Sequence, residues 1–141
     1  MDGTAKISLE DKDAIRDLLA RYCHAIDSGD CDGVAACFLE DAVFHGRAIR
    51  RGGHAEIREL GLERTPTHLP RHLVTNILIA PREQEPDVAD VKSHLLSYAM
   101  TSSGISFMTS GTYQDVVVKT TQGWKFRTRV VNADVAAVAP P

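Results

Sequence analysis

Six histidines, three cysteines and a handful of carboxylates, tyrosines and arginines define the chemistry open to this chain. The cysteines stand at 23, 31 and 37. An odd number on one helical stretch makes a poor disulfide framework, and no CxxC pair offers a zinc site, so they read as small buried apolar residues. His24, His45, His54 and His68 have no ligand-like spacing and read as surface or rim residues, with no metal expected. His72 differs because it opens an apolar, β-branched run. On its own it is either a satisfied core histidine or a general base. Asp27 either terminates a helix beside Ser28-Gly29 or presents its carboxylate elsewhere. Tyr22 is either core or a phenol whose hydroxyl reaches a rim. Arg127 and Arg129 alternate with Trp124, Phe126 and Thr128, so one of them can face an interior, and a solvated strand face fits equally well. Taking a proton from carbon suits a neutral imidazole in a water-poor site. A carboxylate on the other ring nitrogen would fix its tautomer and stabilise the imidazolium. No phosphate loop, dinucleotide glycine fingerprint or nucleophile elbow is present, and Gly52-Gly53 is too little to count as one. The expected cofactor is none.

These side chains need elements to hold them. Ser8 followed by Asp11 signals a capped helix start. Ile15, Leu18, Leu19, Tyr22 and Ile26 recur at helical spacing, giving a first helix over about 8–28 that Ser28-Gly29-Asp30 ends. A short second helix is expected with Val34, Ala35 and Phe38 on its buried side. Asp41 to Phe44 reads as a short strand, His54 to Leu60 as a third helix, and 61–70, with Pro66 and Pro70, as a loop. Extended runs follow at His72 to Ala80, Val88 to Thr101, Phe107 to Lys119 and Trp124 to Val135. Short connections between the last three predict an antiparallel meander. Helices first and strands after predict an α+β layout with the helices on one face of a curved sheet. The domain is expected over 6–135, with a flexible tail at 136–141.

The bulk properties narrow the function classes. The 141 residues suit one domain, and 43% apolar residues are enough for a core. A net charge of −3 argues against a nucleic-acid surface. No apolar run is long enough for a membrane span, and the N-terminal residues lack a secretion pattern, so a cytoplasmic location is the default expectation.

At the level of motifs the chain resembles the SnoaL-like (NTF2-like) superfamily. The stretch IRDLLARYCHAIDSGDCDGVAACFLEDAVF is similar to its N-terminal half. PRHLVTN is similar to its pocket-histidine strand, and SGTYQDVVVKTTQGWKF followed by Arg129 to its last hairpin. The resemblance implies an NTF2-like (cystatin-like) cone, with three N-terminal helices packed on a curved, mostly antiparallel sheet around an apolar pocket. Three enzyme types in the superfamily share one residue plan: scytalone dehydratase, bile acid 7α-dehydratase and hexachlorocyclohexane dehydrochlorinase. Each puts an aspartate at the end of the first helix and a histidine on the first long strand, which here match Asp27 and His72. Tyr22 matches the bile acid enzyme's pocket tyrosine, where the dehydrochlorinase has lysine. Arg129 takes the place of a frequent family arginine. His94 lies near a third polar pocket position. A second pocket histidine of scytalone dehydratase has no counterpart, with Met100 or Thr101 in its place.

The resemblance therefore implies a cofactor-independent lyase or isomerase acting on a small hydrophobic ring compound. His72 would be the base, Asp27 its orienter, Tyr22 a hydrogen-bond donor and Arg129 a holder of developing negative charge. A second expectation is a non-catalytic relative that binds a small ligand or serves as a partner subunit, like the β-chains of ring-hydroxylating dioxygenases. A homodimer or homotrimer is expected through the outer sheet face, with Val116 and Val118 contributing.

Overall fold

The computed structural model describes residues 5–136 and 138–140. Helix α1 spans Leu9–Ser28. The Ser8 hydroxyl accepts a hydrogen bond from the Asp11 amide at 3.0 Å and satisfies one of the free N–H groups of the first turn. Gly29 ends the helix at φ 75°, a left-handed turn that glycine adopts without a side-chain penalty. Helix α2 (Cys31–Ala36) follows, capped by Asp30. Helix α3 (Gly53–Ile57) continues into a 3₁₀ segment, Arg58–Glu63. The expected third helix is thus split, and its tighter second half occupies the start of the expected loop. Phe38 does not belong to α2. It opens strand β1 (Phe38–His45), because the α2 ladder ends at Cys37 and Phe38 pairs with Phe126.

The remaining strands are β2 (Arg50–Gly52), β3 (Leu69–Arg82), β4 (Glu85–Thr101), β5 (Gly104–Thr120) and β6 (Gly123–Ala133). They form one six-stranded sheet in the order β2-β1-β6-β5-β4-β3. β3 to β6 make an antiparallel meander, β1 runs parallel to β6, and β2 pairs antiparallel with β1. Strand β2 was not anticipated, since three residues with two arginines carry no alternating pattern.

The helices cover one face of the sheet. Ile15, Leu18, Leu19, Tyr22 and Ile26 of α1 pack on Phe38, Phe44, Val91, Leu95, Val117 and Phe126. At its N-terminal end the helix is tied down by the Trp124 indole, which donates to the Asp11 carboxylate at 2.9 Å. Val116 and Val118 lie half-buried on the opposite, outer face.

One irregularity sets the inward faces. Val116 pairs with Thr128 and Val117 with Phe126, so Arg127 is an extra residue in β6. This β-bulge shifts the alternation by one step. Trp124 and Phe126 face the helices, and so do Arg129 and Val131, while Arg127 stays partly exposed beside Glu85. The expected tail, 136–141, lies partly outside the described residues, but Val138 is described and borders the cavity treated below.

Candidate active site

Asp27 belongs to the last turn of α1, and β3 is the edge strand beside it. An edge strand leaves alternate backbone N–H groups without a sheet partner. At His72 the Asp27 carboxylate fills that place: Oδ2 accepts the backbone N–H at 3.1 Å, and Oδ1 accepts Nδ1–H at 2.7 Å. One carboxylate therefore grips both the backbone and the ring of the same residue. A carboxylate can only accept, so Nδ1 carries a proton, and in the neutral ring Nε2 is the nitrogen with the lone pair. Nε2 has no hydrogen-bond partner among the described residues. The pair is largely shielded from solvent, with side-chain exposures of 8% for His72 and 13% for Asp27.

His72 forms part of the wall of a cavity of about 610 Å³. Its sides are mostly apolar, with Ile26, Phe44, Leu95 and Val131 among them, and Phe107 and Val138 border it as well. The polar groups on the wall are few: Tyr22, Tyr113, Ser97, Glu63 and Arg47 are the main ones. Behind the dyad lies a more polar pocket of about 500 Å³, bordered by Asp27, His72, Arg64 and Arg71. His72 thus separates the two spaces, and Asp27 touches only the second. Five residues apart on α1, Tyr22 and Asp27 point roughly 140° apart, and this arrangement fits because the two need not reach one cavity. A larger groove of about 810 Å³, along α1, α2 and the β5–β6 turn, contains neither member of the dyad.

Two expected site residues lie elsewhere. His94 is exposed on the outer face, paired with Thr75 and Thr112, because Ser93, Leu95 and Ser97 take the inward positions of β4. Arg129 points inward but does not border the cavity. It is fully buried, and its Nε and Nη2 donate to the two Asp115 oxygens at 3.0 and 3.1 Å. Its guanidinium carbon lies 3.6 Å from the Tyr113 ring centre, 4.3 Å from Phe126 and 4.4 Å from Tyr22. Nη1 has no acceptor among the described residues, and aromatic faces surround the cation instead. Burial pushes the Asp115 carboxyl up to about 6, against the pull of Arg129. Burial likewise raises the Tyr22 and Tyr113 phenols well above their usual range, so both remain hydrogen-bond donors. It takes the Cys23 thiol up to about 11. Cys23 and Cys37 are buried and Cys31 only partly so, all three as free thiols.

Tyr113, Ser97, Glu63, Arg47 and the Asp115 partner were not singled out from sequence. Asp115 did leave a signal: a carboxylate two residues from both Tyr113 and Val117, at an inward strand position in an apolar run, needs a buried partner. Among the described residues, no cluster of three or more His, Cys, Asp or Glu side chains is placed to hold a metal ion. No described helix is long and apolar enough to cross a membrane.

Three helices against a curved six-stranded sheet, enclosing one apolar cavity with a histidine on its wall, make up a cystatin-like fold of the NTF2-like type. Residues 8–130 match the SnoaL-like domain, and the chain belongs to that family. Among curated proteins none matches. Among solved structures, the chain is similar to an aspartate-to-asparagine variant of Rv3472, a protein of unknown function from Mycobacterium tuberculosis. That match has 30% identity over 90% of this chain and 78% of the other, with a TM-score of 0.82. A provisionally named aromatic ring hydroxylase from Novosphingobium aromaticivorans matches at 28% identity over 96% and 94% of the two chains, TM-score 0.80. A provisionally named scytalone dehydratase from the same organism matches at 23% identity over 89% and 85%, TM-score 0.77, and shares the fold.

Proposed function

We propose that the protein is a cofactor-independent lyase or isomerase that removes a proton from carbon in a small hydrophobic ring compound, with His72 as base and Asp27 as its orienter. The observation that carries this reading is the 2.7 Å contact from Asp27 Oδ1 to His72 Nδ1, on a ring that borders the cavity and whose Nε2 has no partner among the described residues. A cavity of about 610 Å³ lies within the usual range for small-molecule sites. Its apolar walls would exclude water, which keeps the imidazole an effective base and strengthens its bond to Asp27. General base action of this kind supplies roughly 10²–10⁴-fold, and positioning in the cavity supplies the rest.

The experiment is a screen of hydroxylated, halogenated and keto-substituted ring compounds, followed by chromatography and by deuterium uptake from solvent. A compound turned over by the native chain should be left unchanged by His72→Ala and Asp27→Asn, with circular dichroism confirming the fold. Full turnover in either variant would remove the dyad from the mechanism.

The provisional name of the 28%-identical neighbour supports a second reading, a ligand-binding or partner subunit related to the β-chains of ring-hydroxylating dioxygenases. Such a subunit has no need of a carboxylate-gripped imidazole on its cavity wall, and for that reason the catalytic reading is preferred. Either reading accommodates a homodimer or homotrimer through the outer sheet face, where Val116 and Val118 are half-buried and Leu78 is 70% exposed.

A further inference from the structure

We propose that Arg47 and Glu63 give the cavity a charge polarity from mouth to wall, and that the ring compounds it takes carry a carboxylate held at the mouth by Arg47, with the ring entering first. The inference names the ligand class of the cavity described above, and as a statement about substrate it rests on the reading of His72 as a base.

Among the described residues, Arg47 is the one arginine or lysine bordering the cavity and Glu63 the one carboxylate. Neither makes an ion pair or a side-chain hydrogen bond with any described residue, so the two do not neutralise each other. Other charges of the same segments are engaged within the protein. Arg51 pairs with Glu59 at 3.3 Å, Arg58 with Asp32 at 2.7 Å, and Glu56 accepts the Gly52 amide at 2.7 Å. The stretch 47–71, which carries Arg47 and Glu63, holds six arginines against three glutamates, in a chain whose net charge is −3. It is a positive segment of a negative protein, which favours the approach of anions.

The fold sets the two charges at different depths. Arg47 stands in the turn between β1 and β2, closed by the Gly46 amide donating to the Ile49 carbonyl at 2.9 Å. A side chain at Gly46 would come within 3.0 Å of Phe44 Cε1 and Ile49 Cγ1, so glycine lets the turn lie close on Phe44 at the cavity edge. Arg47 is exposed there. Glu63 ends the 3₁₀ segment and is half-buried. Burial is the main reason the Tyr22 phenol resists ionisation, and the Glu63 charge adds to it, so that charge is felt on the inner wall.

The two charges favour one ligand orientation. A carboxylate entering ahead of its ring would lose its water between apolar walls and meet a like charge at Glu63. Trailing the ring, it stays near water and meets a guanidinium, whose planar fork matches its two oxygens. A neutral ring compound gains from neither effect. Arg47 and Glu63 are therefore specificity residues, and no bond is made or broken by either.

The test is binding of 2-naphthoate by fluorescence titration at pH 7 and low salt, with the neutral, nearly isosteric 2-naphthamide and the cationic 2-naphthylmethylamine as comparisons. The native chain should bind 2-naphthoate about three- to tenfold more tightly than 2-naphthamide. Arg47→Met should abolish that gain and keep 2-naphthamide affinity within twofold. Intermolecular NOEs in the native complex should join the ring protons remote from the carboxylate to the buried Ile26 and Leu95, and those beside it to the partly exposed Ile49. Glu63→Gln should weaken this one-way pattern. Equal affinity for 2-naphthoate and 2-naphthamide in the native chain, a preference for 2-naphthylmethylamine, or the reversed NOE pattern would each overturn the proposal, whatever the dependence of turnover on Asp27. An active Asp27→Asn variant that keeps the Arg47-dependent gain would count against the dyad alone and leave the charge selection supported.

Discussion

Replacing Asp27 by Asn keeps the size of the side chain and removes its charge. In the native chain Oδ1 accepts from the His72 ring at 2.7 Å and Oδ2 from the His72 backbone at 3.1 Å. An amide can keep one of these bonds, so the strand stays in place. The other position becomes NH₂, which can only donate, and a donor facing Nδ1 drives the ring proton to Nε2. The nitrogen bordering the cavity would then be N–H and no longer a base. The charge effect adds to this. Two unit charges about 4 Å apart at an effective dielectric near 20 attract by roughly 4 kcal/mol, and the forming imidazolium would lose that stabilisation. At about 1.4 kcal/mol per decade the loss approaches 10³-fold, and 10²–10⁴-fold in turnover is the expected range. The assay has two parts. Long-range ¹⁵N–¹H spectra of the imidazoles, with His72 assigned by substitution, should show the Nδ1–H tautomer in the native chain and Nε2–H in the variant. Turnover of any substrate found by the screen should fall in step. A variant that keeps the Nδ1–H tautomer and its full rate would refute the reasoning.

Other outcomes follow from the same geometry. Asp115→Ala leaves Arg129 buried without a counter-charge and should cost about 3–5 kcal/mol, read as a drop in melting temperature of roughly 10 °C or more; a shift of under 2 °C would contradict the described pair. His94→Ala, on the outer face, should leave ligand binding in the cavity within twofold of native by fluorescence titration. Asp11 has its carboxyl held below the usual range by the Trp124 indole and Lys119. Its share of stability is therefore present above the normal carboxylate range and lost as pH falls through the lowered value. Asp11→Asn should flatten the acid limb of a urea-midpoint profile below about pH 4, the usual unfolded carboxylate value, and an unchanged limb would refute this. Among the thiols, the partly exposed Cys31 should react with a maleimide well before Cys23, whose thiol is buried and held mostly protonated, as peptide mapping would show.

The first helix and the four long strands were legible because each buries one face, and burial writes a period into the sequence. The 20-residue stripe of α1 and its cap are found where Ser8, Ile15, Tyr22 and Gly29 placed them. The contact between Asp27 and His72 was legible only through motif resemblance, since no periodicity links a helix end to a strand edge. His94 was misplaced because a shift of one residue in a long strand exchanges its faces, and the 17-residue β4 carries polar residues on both. Tyr113 was hidden for a different reason: an aromatic at an inward strand position looks the same whether it fills core or borders a cavity. The alternation left Arg127 and Arg129 undecided, and resemblance alone named Arg129 as a pocket residue; it points inward without bordering the cavity, and its burial against Asp115 depends on pairing between two strands, which a single strand cannot show.

The extra residue at Arg127 has a consequence for anyone altering this hairpin. Trp124 and Arg129 are separated by an odd number of positions, and in an unbroken strand odd separation means opposite sides. Excising Arg127 would make that separation even, so a regular strand would keep Trp124, the guanidinium and Val131 on one side; pairing the hairpin residue for residue with Arg127 retained would instead turn the guanidinium outward and strand Asp115 without its cation. A single residue added to or removed from this strand anywhere else, without a matching bulge, would exchange its faces and empty the layer beneath the cavity while touching no contact of the dyad, so length in this segment matters more than identity.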